Sequence, residues 1–265
     1  MVPGKPVPGE SLVKGVILAG GRGTRLYPLT KTINKHLLPV GPEPMIYNAV
    51  RNMAACGVSE ILVVTSSAHM GDIVNNLGSG REFGVDFSYK VQDEPRGIAD
   101  ALRLARVFAG PDNVFVLLGD NIFEIPPRHF LENYRKIQGC RGARVLLVEV
   151  EDPTRFGVAA LDEMKVVGIL EKPECPPTPY AVVGAYLYDS SLWEILEGLE
   201  PSPRGEYEIT DVNNAYADRD LLEYDFVRGR WMDTGTLESY FLANAMFSGN
   251  PGAWGPEPSQ EGAGP

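Results

Sequence analysis

The sequence predicts an α/β fold: a mixed, mostly parallel sheet sandwiched by helices. Three observations predict it. Residues 16–19, 61–65 and 114–118 are short and almost wholly apolar, the pattern of strands buried on both faces. Segments with helical spacing alternate with them, as in sheets whose strands are joined by crossover helices. Ligands in such sheets bind beyond the carboxyl ends of the strands, and two of these ends run into chemically pointed loops. One is Gly20-Gly21-Arg22-Gly23-Thr24-Arg25, the other Gly119-Asp120-Asn121.

Taken in order, Val16 to Ala19 reads as the first strand. Residues 45–55 place Met45, Ile46, Ala49, Val50 and Met53 on one helical face, and Gly57 is a suitable C-terminal stop. A strand follows over 61–65, a short helix over 69–77 and an alternating strand over 85–91. The pattern then predicts a helix over 97–108, a strand over 114–118, a helix over 130–138 and a strand over 144–150. Beyond this the periodicity changes. Residues 157–161, 165–171 and 181–188 are strand-like with short turns, which predicts an antiparallel extension. Helices near Leu192 and over 208–218, strands over 222–227 and 230–233, and a helix over 237–247 complete the chain. No internal repeat is visible. Residues 1–13 read as a flexible lead-in and 248–265, rich in Gly and Pro, as a disordered tail, which leaves 14–247 as one domain.

The 265 residues suffice for a substantial core, and the 44% hydrophobic share is ordinary for a soluble protein. Lys and Arg number 24 against 35 Asp and Glu, a net charge of −11. A chain this acidic is a poor partner for nucleic acid or an anionic membrane. A phosphate site in it must be a local concentration of positive groups, or carry a metal. The cysteines, Cys56, Cys140 and Cys175, are odd in number and far apart, as expected of reduced thiols in the cytoplasm. No stretch approaches the ~20 apolar residues of a membrane span, and the N-terminus lacks the apolar core of a signal peptide.

The first glycine loop carries the chemistry. Gly20, Gly21 and Gly23 permit positive φ and let an anion reach bare backbone N–H groups. Arg25 adds a planar fork of donors suited to phosphate oxygens. Two familiar phosphate loops are excluded. The dinucleotide pattern G-x-G-x-x-G would need glycine where Leu26 stands, and no Gly-Lys-Ser/Thr tripeptide occurs. Asp120 and Asp233 each follow an apolar strand beside a glycine. An isolated aspartate there is most often a turn cap, though Mg²⁺ is commonly held by one or two carboxylates plus substrate phosphates and these two are the candidates.

The pattern G-G-x-G-T-R-L-x-P-x-T, followed by Asn34-Lys35-His36-Leu37-Leu38-Pro39-Val40, resembles the signature of the sugar-1-phosphate nucleotidyltransferases, and within them the glucose-1-phosphate thymidylyltransferase branch. The resemblance runs from about Lys14 to Leu242. It also includes Val91-Gln92, Pro95-Arg96-Gly97, Arg155-Phe156-Gly157-Val158, Glu171-Lys172-Pro173, Gly205 to Asn213 and Trp231-Met232-Asp233-Thr234-Gly235-Thr236. It implies a Rossmann-like fold of the nucleotide-diphospho-sugar transferase type with a small antiparallel sugar-binding extension. It implies transfer of a nucleotidyl group from dTTP, or UTP, to glucose 1-phosphate, with Mg²⁺ on Asp120 and Asp233.

Carried over residue by residue, Arg25 and Lys35 would meet the triphosphate and the transferred phosphate, and Lys172 and Arg204 the sugar phosphate. Gly20, Gly21, Gly23 and Thr24 would wrap the nucleotide. Leu18, Gln92 and Gly97 would meet the base, with Gln92 able to pair in two directions with an imide edge. Gly157, Glu171 and Val182 would hold the sugar. Two positions depart from the pattern. His36 stands where longer members carry a glutamine near the deoxyribose, and Phe156 replaces a common tyrosine. The C-terminal helices that build a feedback site in those members have no counterpart after Asn250, so cooperative remote inhibition is not expected. A homo-oligomer is left open. The competing readings are a catalytically silent sugar-nucleotide binder, which would have no need of the aspartate pair, and a nicotinamide-dependent oxidoreductase, which the failed glycine spacing disfavours.

Overall fold

The computed structural model describes residues 12–137 and 139–248; the expected lead-in up to residue 11, the tail from 249 onward and Gln138 lie outside the described residues. The first half comprises β1 (Val13–Ala19), β2 (Pro39–Val40), β3 (Glu43–Pro44), α1 (Ile46–Ala55), β4 (Glu60–Ser66), α2 (Met70–Leu77) and β5 (Asp86–Gln92). Then come α3 (Ile98–Arg103), α4 (Arg106–Ala109), β6 (Asn113–Leu118), β7 (Asn121–Phe123), α5 (Arg128–Lys136) and β8 (Ala143–Glu149). The second half adds β9 (Gly157–Asp162), β10 (Lys165–Glu171), β11 (Tyr180–Tyr188), α6 (Leu192–Gly198), α7 (Ile209–Ala217), β12 (Leu222–Phe226), β13 (Trp231–Asp233) and α8 (Leu237–Ser248).

Strands β5, β4, β1 and β6 form a parallel block in that order, with β1 in the middle. Its residues alternate between two cores: Val16 and Leu18 pack with α3, α6 and α7, while Ile17 and Ala19 pack with α1, α2 and α5. Both faces are therefore covered, which is why β1 reads as unbroken apolar sequence. Among the described residues no helix is long and apolar enough to cross a membrane.

Two expectations need correction. The helix expected over 97–108 is two short helices, because Leu104 and Ala105 bond back three residues rather than four, to Ala101 and Leu102. Residues 181–188 are antiparallel as expected, but they belong to the main sheet and not to an extension. β11 is buried along nearly its whole length and lies antiparallel to both β6 and β8. At its other end β11 pairs with β9, so the sheet forks there and only β9 and β10 project as the extension. Gly184 sits at the fork, where a Cβ would stand 2.6 Å from the Leu118 side chain.

A separate antiparallel ribbon, β7 with β13, crosses the mouth of the sheet and sets Asp233 opposite Asn121. Asn48 on α1 holds this ribbon by side-chain bonds to both backbone groups of Phe123, each at 3.0 Å. The pair takes the place of a missing strand neighbour. Asn48→Ala would strand a buried N–H and a buried C=O, so we expect a loss of about 2–4 kcal/mol in stability by urea denaturation, with the slope m unchanged.

Candidate active site

Strand ends, the ribbon and the start of α7 enclose a cleft of about 350 Å³. It is lined by Leu18, Gly20, Gly21 and Arg25 from the first strand and its loop, by Lys35 and His36, and by Gln92 and Gly97 beyond β5. Asp120 and Asp233 stand at its centre, and Gly157, Glu171, Lys172, Val182 and Arg204 close the far side. Gly23 and Thr24 do not line it. Gly23, at φ +62°, turns the loop and accepts the Thr30 hydroxyl at 2.7 Å, and Thr24 opens a short 3-10 turn behind.

The two aspartates converge through the ribbon. Thr234 donates to the Asp120 carbonyl from its amide at 3.0 Å and from its hydroxyl at 2.7 Å, which locks the end of β13 onto the β6–β7 turn. Burial tends to raise the Asp120 carboxyl, but the charge of Lys35 and hydrogen bonds from Lys35 and Asn121 hold it well below the usual range. The Lys35 ammonium lies 2.5 Å from Asp120 Oδ2. Lys35 thus sits against the carboxylate at the centre of the cleft rather than projecting alone. Asp233 is pushed up to about 6, first by burial and then by the negative charge of Asp120, with Lys35, Arg25 and Arg155 opposing. A Cβ at Gly235 would stand 3.1 Å from both Asp233 Oδ1 and Arg25 Nη2, so glycine there lets the carboxylate and the guanidinium share one corner. Two crowded carboxylates, one of them destabilised by the other's charge, are a hard-oxygen donor pair that a dication would relieve. The residues fit Mg²⁺.

On the far side Glu171 accepts from Thr210 at 2.6 Å and Arg204 at 3.1 Å, with Lys172 at 3.4 Å. Arg204 is also bound to Glu208 at 2.9 Å, so it arrives already paired with carboxylates. Lys172 carries φ +45°, a strained left-handed conformation for lysine, and its amide donates to the Phe156 carbonyl at 2.9 Å. At Gly157 a Cβ would press Ile169 Cγ2 at 3.3 Å and reach ordinary contact with the Glu171 carboxylate at 3.6 Å.

The residues expected at the base show their polarity directly. Gln92 spends its amide nitrogen on Asp100 Oδ2 at 2.9 Å and the Gly97 carbonyl at 3.3 Å. Both are pure acceptors, so only Oε1 faces the cleft, in place of the two-way pairing expected from the side chain alone. His36 is buried. Asn34 Oδ1 accepts from the His36 amide and stands 2.8 Å from Nδ1, so Nδ1 donates. Burial, then the neighbouring Lys35 charge, push the imidazole down to about 3, so it is neutral. Its Nε2 is left as an acceptor with no hydrogen-bond partner among the described residues.

A family model described as nucleotidyl transferase matches residues 14–248. The chain belongs to the nucleotidyl transferase family. A glucose-1-phosphate thymidylyltransferase of Neisseria meningitidis serogroup A is 42% identical over 231 residues, covering 86% of this chain and 80% of the relative. One of Xanthomonas campestris pv. campestris is 44% identical, covering 85% and 77%. A solved Bacillus anthracis structure with sucrose, provisionally given the same enzyme name, is 51% identical with a TM-score of 0.84, covering 88% and 94%. A UDP-glucose pyrophosphorylase complexed with UDP-glucose is 27% identical with a TM-score of 0.78, covering 90% and 99%.

Within this nucleotidyl transferase sequence reasoning passed over Asn121, Arg155, Glu208 and Thr210, all of which line the cleft. Asn121 donates to Asp120 at 3.2 Å and accepts from Gly184 and Trp231, each at 2.9 Å, tying the ribbon to β11. Arg155 bears on Asp233, and Glu208 and Thr210 organise Arg204 and Glu171. The run from Gly205 to Asn213 held the signal for the last two: a carboxylate and a hydroxyl at the start of a helix that opens onto the cleft.

Proposed function

We propose that this chain is a cytoplasmic glucose-1-phosphate thymidylyltransferase, which makes dTDP-glucose and pyrophosphate from dTTP and glucose 1-phosphate. The observation that carries the proposal is the convergence of Asp120, Asp233, Lys35 and Arg25 in one cleft between an apolar end and a hydroxyl-binding end. A binder without catalysis would have no use for two carboxylates held against each other. The apolar end, with Leu18, Ile98 and Ala101 around the single amide of Gln92, suits a planar heterocycle. The opposite end, with Glu171, Thr210 and Arg204, suits a sugar and its phosphate.

An oxygen of the sugar phosphate attacks the α-phosphorus, the bond from that phosphorus to the bridging oxygen breaks, and pyrophosphate leaves. The phosphate dianion is already a competent nucleophile, so no protein base is required. The protein's contribution is alignment and charge. Arg25 and the glycine-loop amides receive the departing pyrophosphate, Lys35 stands at the transferred phosphoryl group, and Arg204 with Lys172 orients the attacking phosphate. Mg²⁺ bound by Asp120 and Asp233 would neutralise charge gathering at the α-phosphate.

A panel of nucleoside triphosphates crossed with sugar 1-phosphates, read by pyrophosphate release, tests the reading. We expect dTTP and UTP to be accepted with glucose 1-phosphate, dTTP by on the order of ten-fold, and CTP, ATP and GTP to be poor. No pyrophosphate from any pyrimidine nucleotide would overturn it. In the same assay His36→Gln should change the dTTP-to-UTP ratio more than the rate with dTTP, because it replaces a lone acceptor beside the nucleotide with a side chain that also donates. An unmoved ratio with unchanged KM for both nucleotides would reduce His36 to packing.

A further inference from the structure

We propose that Asp100, which does not itself line the cleft, is a positioning residue that sets which bases the enzyme accepts. The inference rests on the reading above in one respect only: that the apolar end of the cleft holds the base.

Glutamine alone has no polarity. Its amide can present an acceptor or a pair of donors, and a half-turn about the last bond exchanges them at little cost. A free glutamine would therefore serve thymine and uracil, which offer N–H at ring position 3, and also cytosine, which offers a bare nitrogen acceptor there. In this chain the exchange is blocked. Gln92 Nε2 lies 2.9 Å from Asp100 Oδ2, and an ionised carboxylate has no proton with which to meet an amide oxygen. The Gly97 carbonyl, at 3.3 Å from the same nitrogen, adds a longer and weaker demand in the same direction. Turning the amide would set its oxygen against two acceptors. Oε1 consequently stays on the cleft side, beside the glycine loop, where a Cβ at Gly20 would stand 3.4 Å from it. At ring position 3 only a base that carries an N–H there, thymine or uracil, can pair with it; cytosine could meet it only by shifting to present its amino group.

Asp100 is itself held. It sits in the first turn of α3 with its other oxygen 3.8 Å from Arg103, and its side chain is about one-fifth exposed. Arg103 in turn donates to the Leu196 carbonyl from Nε at 3.0 Å and Nη2 at 2.6 Å, and lies 4.1 Å from the centre of the Tyr207 ring. The order of command runs from Arg103 to Asp100 to Gln92 to the base.

The isosteric change Asp100→Asn breaks this order without removing bulk. The new amide turns its oxygen towards the Arg103 guanidinium, which leaves its NH₂ facing Gln92. Gln92 can then meet that NH₂ with its oxygen and turn its own NH₂ into the cleft, opposed only by the longer bond to the Gly97 carbonyl at 3.3 Å. A second variant, Asp100→Glu, keeps the acceptor but lengthens its reach, and should retain the wild-type preference with weaker binding of both nucleotides. The measurement is calorimetric affinity for dTTP and dCTP on the intact protein, with pyrophosphate release from dTTP and glucose 1-phosphate recorded in parallel. We expect Asp100→Asn to shrink the dTTP-over-dCTP affinity ratio by ten-fold or more, since an interaction that rewards one base edge now rewards the other. A ratio in Asp100→Asn within two-fold of wild type would overturn the proposal, whatever the turnover. Loss of the preference in Asp100→Glu to the same degree as in Asp100→Asn would also overturn it, because carboxylate polarity would then be irrelevant. Absence of pyrophosphate release by the wild-type protein speaks only against the proposed reaction, while the affinity ratio is read independently of it.

Discussion

Asp120→Asn and Asp233→Asn should each lower kcat by at least ~10², the scale of removing a positioned electrostatic group, measured as steady-state pyrophosphate release at saturating Mg²⁺ and substrates. Their effects on stability should differ in sign. Asp120 and Lys35 form a well-buried pair, with side chains 11% and 15% exposed. Removing one member leaves the other charge uncompensated, at a cost of roughly 3–5 kcal/mol. Asp233 is the opposite case, because its folded-state carboxyl is raised to about 6 from an ordinary 3.8. A carboxyl raised on folding weakens the fold once pH climbs above the unfolded value, so Asp233→Asn removes a penalty at neutral pH. In chelator-treated protein at pH 7 we expect a lower Tm for Asp120→Asn and an equal or higher one for Asp233→Asn. Near-normal rates in both variants would place the metal elsewhere.

Gly97→Ala should be the most damaging single methyl in the cleft. Gly97 has φ +103° and ψ 171°, a conformation open essentially to glycine alone. A Cβ there would stand 2.5 Å from the Tyr207 carbonyl oxygen and 2.8 Å from its nitrogen. Those atoms are not free to retreat. Tyr207 donates to the Arg96 carbonyl at 2.8 Å and accepts from the Ala99 amide at 3.2 Å, the stitch that holds the base end of the cleft to the loop bearing Arg204 and Glu208. Backbone strain and overpacking together should cost roughly 2–5 kcal/mol in chemical denaturation. Gly110→Ala is the matched control, since it shares a positive φ of +60° but has nothing within 4 Å of its Cβ. Equal losses in the two variants would mean that the Tyr207 loop yields.

The parallel block was legible because burial on both faces leaves its mark in composition: Val16 to Ala19 and Val114 to Leu118 have no polar side to hide. The glycine loop and the two aspartates were legible because charge at the mouth of an apolar strand stands out against its neighbours. β11 was misassigned for an equally physical reason. Its apolar run says that it is buried but not which strands it lies between, and the shift of its register on β8 between Val182 and Tyr186 is likewise encoded in no local pattern. The orientation of Gln92 was invisible too. A glutamine in sequence is a donor and an acceptor at once, and the approach of Asp100 from the next helix, with the Gly97 carbonyl beside it, decides between them. Arg204 was expected at the sugar phosphate from its motif; Glu206 and Glu208 stand beside it in sequence, but the approach of Glu171, 33 positions away, is made only by the fold.

The ribbon of β7 and β13 also bears on the timing of activity as the chain is synthesised. Thr234 locks onto the Asp120 carbonyl from 114 positions away, so half of the aspartate corner is made late. A nascent chain that has emerged through β11 carries the strands of the parallel block and the glycine loop, yet Asp120 has no companion carboxylate. Competence would arrive in one step, when the last strand docks, and a chain stalled or cleaved before Asp233 would be inert. Complementing a fragment ending before β13 with the missing segment would show whether activity returns only with that final piece.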